Sequence, residues 1–84
     1  MTDYRFKDVD QYIDFLNTVI NYLGGPVAVE KILGIPRYNI YTWKSKKNFV
    51  NGKMLRKIPL HHAKTLSKKV PWATIENIRP DLYE

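Results

Sequence analysis

Cysteine is absent from the 84-residue chain. That absence excludes disulfide staples, thiolate metal ligands and a cysteine nucleophile, and it fits a reducing compartment. Long apolar runs are missing too, and nothing nears the roughly 20 apolar residues that a membrane-spanning helix needs. The opening residues, MTDYRFKDVDQ, hold no apolar segment of the kind a secretory leader carries, so a soluble intracellular protein is expected. No glycine-rich phosphate loop is present, since Gly24-Gly25-Pro26 reads as a helix boundary. The most telling deficit is of negative charge. Residues 35–70 contain no Asp or Glu, yet they hold ten basic side chains: Arg37, Lys44, Lys46, Lys47, Lys53, Arg56, Lys57, Lys64, Lys68 and Lys69. Residues 1–34 and 71–84 each sum to −2, so a +10 block lies between two acidic flanks. Charge blocks are often only solvated surface. This one lacks counter-charge of its own and is interleaved with Tyr38, Tyr41, Trp43 and Phe49, a pattern that fits a long polyanion as partner.

The length is that of one small domain, 1–84, with a modest core. Residues 1–8 read as an N-terminal arm, 26–45 as a helix-turn-helix and 46–58 as a basic loop or wing. Val9, Tyr12, Ile13, Leu16, Val19, Ile20 and Leu23 recur at helical spacing, predicting a helix over 9–23 that Asp8 caps and Gly24-Gly25 ends. Pro26 suits the first turn of a second helix, 26–33, burying Val29, Ile32 and Leu33. Gly34 closes it. Pro36 forbids its continuation and opens a third helix over 36–45, in which Ile40 and Trp43 share a face. Two short helices joined by a tight glycine-containing turn make a helix-turn-helix.

In KSKKNFVNGKMLRK, Asn51-Gly52 is a type I′ hairpin signal, but its apolar flanks are paired rather than alternating. A small hairpin wing and a plain loop both stay open. Pro59 starts a fourth helix to Lys69, with Ala63, Leu66 and Val70 inward and His61, Lys64 and Lys68 outward. A last turn over 72–78 tucks in Ile75 and Ile78. The expected fold is therefore all-α: a compact bundle of four to five short helices containing a helix-turn-helix, with a hairpin after the recognition helix left open.

Val29, Leu33, Ile35, Ile40 and Trp43 fall where two crossed helices bury apolar side chains, and Gly34 falls where the chain turns between them. A core of that kind presents the third helix as a rigid unit. Its outward face is then Arg37, Tyr38, Tyr41, Thr42 and Ser45. An α-helix fits the major groove of B-form DNA, where arginine grips guanine bidentately and threonine bonds a base or meets the thymine methyl. Trp43 reads as a core anchor, by its helical phase with Ile40.

The segment LGGPVAVEKILGIPRYNIYTWK, followed by KIPLHHAKTLSKK and IRPDLYE, resembles the Cro/YdaS-type phage and prophage helix-turn-helix regulators. The likeness runs from Leu23 to Leu82, strongest at Gly34, Ile40, Trp43, Pro59, Ala63 and Arg79-Pro80-Asp81. Each short motif is weak alone, and their shared order is what carries the likeness. The resemblance implies transcriptional repression of a short double-stranded operator, and the setting expected is the cytoplasm of a bacterial or phage-infected cell. The symmetry of such operators, and no identifiable interface in the sequence, leads to the expectation of a homodimer on a two-fold site. The resemblance also carries base reading onto Arg37, Tyr38, Tyr41 and Thr42, and phosphate contact onto the first turn of the second helix at Val27. The basic residues Lys44, Lys46, Lys47, Lys53, Arg56 and Lys57, together with Ser45, are the remaining phosphate-contact candidates.

The chain departs from that pattern in three places. Glu30 stands where the family has a packed alanine, so either it lies partly exposed or the helices cross more widely. Pro36 replaces the usual serine cap. The stretch after Trp43 is longer, which points to extra phosphate contacts. Rival readings are the DNA-binding antitoxin of a toxin–antitoxin pair, a module docking an acidic protein through its tyrosines, and a single-strand or RNA binder that stacks bases on aromatics. Catalysis is not expected, because the two histidines lie in an acid-free stretch and so small a helical core offers little concavity. His61-His62 lacks the four recognisably spaced ligands of structural zinc, so neither metal nor cofactor nor small-molecule ligand is expected.

Overall fold

A computed structural model of the chain describes residues 8–83, so the expected arm over 1–8 lies, apart from Asp8, outside the described residues. Asp8 caps α1 (Val9–Tyr22), its carboxylate accepting from the Gln11 N–H at 2.9 Å. This satisfies one of the donors that every helix start leaves unpaired. The chain leaves α1 through Gly24-Gly25 and enters α2 (Pro26–Leu33). Gly34 follows at φ 69, ψ 34, the left-handed conformation that lets the chain reverse, and its N–H returns to the Glu30 carbonyl at 2.8 Å. α3 (Arg37–Trp43) packs across α2, and a 3-10 turn over Lys46–Asn48 leads into a two-stranded hairpin. The order closes with α4 (Leu60–Lys69), α5 (Ile75–Ile78) and a 3-10 turn over Pro80–Tyr83.

The hairpin resolves the alternative left by the sequence. Phe49 pairs with Met54 and Val50 with Lys53, antiparallel, making β1 (Phe49–Val50) and β2 (Lys53–Met54). Asn51 at φ 53 and Gly52 at φ 80 supply the two positive angles of a type I′ turn. Phe49 ties the ribbon to α1 by an edge-on contact with Tyr12, ring centres 5.9 Å apart.

Two helix starts differ by one residue from expectation. Pro36 (ψ 146) and Pro59 (ψ 144) hold extended backbone, so each stands just before its helix rather than in its first turn. The third helix also ends at Trp43, two residues early. Lys44 (φ −104, ψ 18) departs from helical angles and Ser45 turns extended. The fifth helix starts at Ile75, where Thr74 and Asn77 form a reciprocal capping box.

The core joins Tyr12, Leu16, Val19 and Ile20 of α1 to Val29, Ile40, Trp43, Ile58, Ala63, Leu66, Val70, Ala73 and Ile78. Leu33 and Ile35 pack against its edge, half-buried. Ile13 and Ile32, expected inside, are half-exposed and stay out of the core cluster. Ile58, the last residue of the expected basic wing, is fully buried in the core, where the bias of a residue before proline toward extended backbone ends the loop ahead of α4. No helix among the described residues is long and apolar enough to cross a membrane.

The C-terminal end is locked by charge. Arg79 makes two hydrogen bonds to Asp81, at 2.9 and 2.7 Å, and a third to the Ile58 carbonyl at 3.0 Å. Tyr12 donates its hydroxyl to the Ile78 carbonyl, and burial holds that phenol well above its ordinary pKa. The Arg79 guanidinium in turn holds the Asp81 carboxyl below the usual carboxylate range. A carboxylate with a lowered folded-state pKa contributes stability above its unfolded value and loses it as pH falls. Stability is therefore expected to drop as pH falls below about 4. Asp81→Asn is expected to cost about 1–3 kcal/mol at neutral pH and to flatten that acid limb, as measured by urea unfolding across pH.

Candidate nucleic-acid interface

Seven residues make barely two turns, so α3 holds its place by what it buries. Successive residues advance by about 100°, which puts Ile40 and Trp43 on one arc and Arg37, Tyr41, Tyr38 and Thr42 on the other. The structure keeps that division. Ile40 is fully buried and Trp43 nearly so, whereas Tyr38 is 66% and Tyr41 50% exposed. On the far side Trp43 meets His62 of α4, ring centres 6.4 Å apart. Burial and the neighbouring His61 hold His62 below its usual pKa, which favours the neutral ring against the indole.

Three of the four expected base-reading side chains, Arg37, Tyr38 and Tyr41, stand in solvent. Thr42 is half-buried, and its hydroxyl donates to the Tyr38 carbonyl at 3.0 Å. With the hydroxyl engaged by its own helix, the methyl is the side chain's remaining group. Arg37 is not a free cation, because its Nε lies 3.0 Å from Oε1 of Glu30 on α2. Glu30 is thus partly exposed, as one of the two alternatives held, and paired.

The phosphate-contact candidates separate into two groups. Val27 is exposed in the first turn of α2, where Gly25 brings no side-chain acceptor to the helix start. Lys47, Lys53 and Arg56 are exposed, and none of them has an ion pair among the described residues. The others are engaged within the chain. Lys44 reaches back to Asn17 of α1 at 2.9 Å and lies 5.3 Å from the Tyr41 ring. Lys46 pairs with Asp10 at 2.8 Å, and Lys57 stands 3.7 Å from Asp81. Ser45 leaves the α3 face to cap the following turn, accepting weakly from the Lys47 N–H at 3.3 Å. The +10 block that lacks acids of its own therefore borrows three from its flanks: Glu30, Asp10 and Asp81. Exposed pairs of this kind are worth little, and a polyanion competes readily for the cation.

Asn48 is the residue the sequence reading missed. It is the buried polar side chain of the core, and its amide behaves as an extra peptide group. Oδ1 accepts from the Arg56 N–H at 2.9 Å, and Nδ2 donates to the Arg56 carbonyl at 3.1 Å. The Asn48 carbonyl also accepts from the Leu55 N–H at 2.7 Å. Two-residue strands are too short to hold a ribbon by themselves. Asn48 closes the base of the loop, fixing where Lys53 and Arg56 stand. An Asn shortly before the Asn51-Gly52 turn was the available signal, since its partner is backbone that any non-proline residue supplies.

No protein-family model, curated protein or solved structure matches the chain.

Asn48→Ala leaves the Arg56 N–H and carbonyl without their partner. The expected outcome is a loss of about 1–3 kcal/mol in stability. Amide hydrogen exchange is expected to quicken first at Leu55 and Arg56, with α1 and α4 still protected.

Proposed function

We propose that the chain binds double-stranded DNA sequence-specifically through α3 and acts as a transcriptional repressor of a short operator, with no catalytic step. The observation that carries this reading is the split face of α3. Ile40 and Trp43 are buried while Arg37, Tyr38 and Tyr41 are exposed together, with Thr42 beside them, in a chain of net charge +6. A rigid helix with donors and a methyl on one arc is what major-groove reading needs. Lys47, Lys53 and Arg56 supply the phosphate-contacting charge, and the first turn of α2 supplies backbone N–H groups. The proposed setting is the cytoplasm, with two copies on a two-fold site, because operators of this kind mirror the symmetry of the protein that reads them.

Selection of duplexes from a random pool, followed by titration of the selected duplex against salt, tests the reading. A preferred sequence and a steep fall of affinity with salt are expected. Preference for single-stranded competitor, or equal binding of all duplexes, overturns it. Arg37→Ala is expected to weaken binding to the selected duplex by about 1–3 kcal/mol and to relax preference at one base position. Lys47→Ala is expected to weaken all duplexes alike and reduce the salt slope by about one. Identical behaviour of the two variants speaks against α3 as the reading helix.

A further inference from the structure

Glu30 is the only acid paired with a residue on the reading arc of α3 among the described residues. Its carbonyl accepts the Gly34 N–H at 2.8 Å and the Ile35 N–H at 3.3 Å, so its backbone closes the turn between α2 and α3. Its side chain then crosses that turn to Arg37, the first residue of α3. The carboxylate therefore stands on a residue whose own backbone is tied into the turn. The arginine it meets is half-exposed, with a side-chain exposure of 53% against 34% for Glu30.

We propose that Glu30 is a positioning residue for Arg37, holding the guanidinium from its Nε side so that the two terminal nitrogens point end-on at a guanine. The inference rests on α3 being the DNA-facing helix. A guanidinium has five N–H donors in a planar fork, and a carboxylate at the Nε edge leaves the terminal pair free. That pair matches the O6 and N7 acceptors of guanine in the major groove. Even a weak exposed ion pair biases the arginine toward one orientation, so it has less rotamer freedom to lose on binding than an unsupported one. The same carboxylate repels phosphate and neutralises a cation, so it lowers affinity for duplex of any sequence. Glu30 thus trades general affinity for discrimination at one base.

These opposite signs make the test sharp. The probes are the duplex selected by the unaltered chain, the same duplex with 7-deazaguanine (which lacks the N7 acceptor) at the position Arg37 reads, and a random-sequence duplex. Glu30→Gln and Glu30→Ala are expected to lower the ratio of affinities for the first two duplexes roughly 5- to 10-fold. Both are expected to tighten binding to the random duplex roughly twofold and to steepen the salt slope by about one. In an Arg37→Ala background, Glu30→Ala is expected to leave the 7-deazaguanine ratio unchanged. A merely structural role for Glu30 predicts weaker binding to all three duplexes with a lower melting temperature, and that result overturns the proposal. So does a ratio that stays the same or rises in Glu30→Gln, since the carboxylate would then compete with guanine for Arg37. An unaltered chain that prefers no duplex overturns the DNA reading itself and the proposal with it. A sequence preference that persists undiminished in both variants removes the proposal alone.

Discussion

Burial of Ile40 and Trp43 beneath a helix of only seven residues is the constraint on which the remaining features depend. So short a helix is not stable by itself in water, since nucleation costs more than two turns of hydrogen bonds return. Fully burying an aliphatic side chain of this size is worth about 1.5–3 kcal/mol, and Trp43 adds a larger apolar area against α4. α3 exists because that face is covered. Once it is covered, the opposite arc has no freedom to choose its direction, and Arg37, Tyr38 and Tyr41 are carried into solvent together. The left-handed Gly34 sets how α3 leaves α2, and Glu30 meets that geometry twice, through its carbonyl and through its carboxylate.

Charge is organised by the same economy of parts. The basic middle of the chain draws Asp10, Glu30 and Asp81 back from the two acidic flanks, each onto a different cation. These contacts are weak enough to be exchanged in solution, yet they hold long side chains near particular positions. Among the described residues, the exposed cations of the block without such a partner are Lys47, Lys53 and Arg56, on or beside the turn and hairpin that Asn48 closes, and Lys64, Lys68 and Lys69 on α4.

The helices were legible because their signals are local. Apolar periodicity gave α1, glycine and proline punctuation gave α2 to within a residue, and the phase of Ile40 with Trp43 gave the buried side of α3. What escaped was set by contacts distant in sequence or by competition at helix ends. Ser45 was expected on the reading face, but the helix yields at Lys44, whose amine is drawn to Asn17 on α1. Ile58 closes a basic run in the sequence, and its burial depends on a core assembled from residues distant in the chain. Proline was placed inside helix starts at 36 and 59, where its extended backbone angles instead make it the residue before. The Glu30–Arg37 pair was hidden because Glu30 was read as a departure from a packed alanine and never as a partner.

The bond from Tyr12 to the Ile78 carbonyl joins residues 66 positions apart, so the first helix and the last turn are finished by each other. Ile78 is buried in the same core as Tyr12, Leu16, Val19 and Ile20 of α1. Closing this contact brings together two ends of the described fold, so its loop-closure cost is met by segments that are far apart in the sequence.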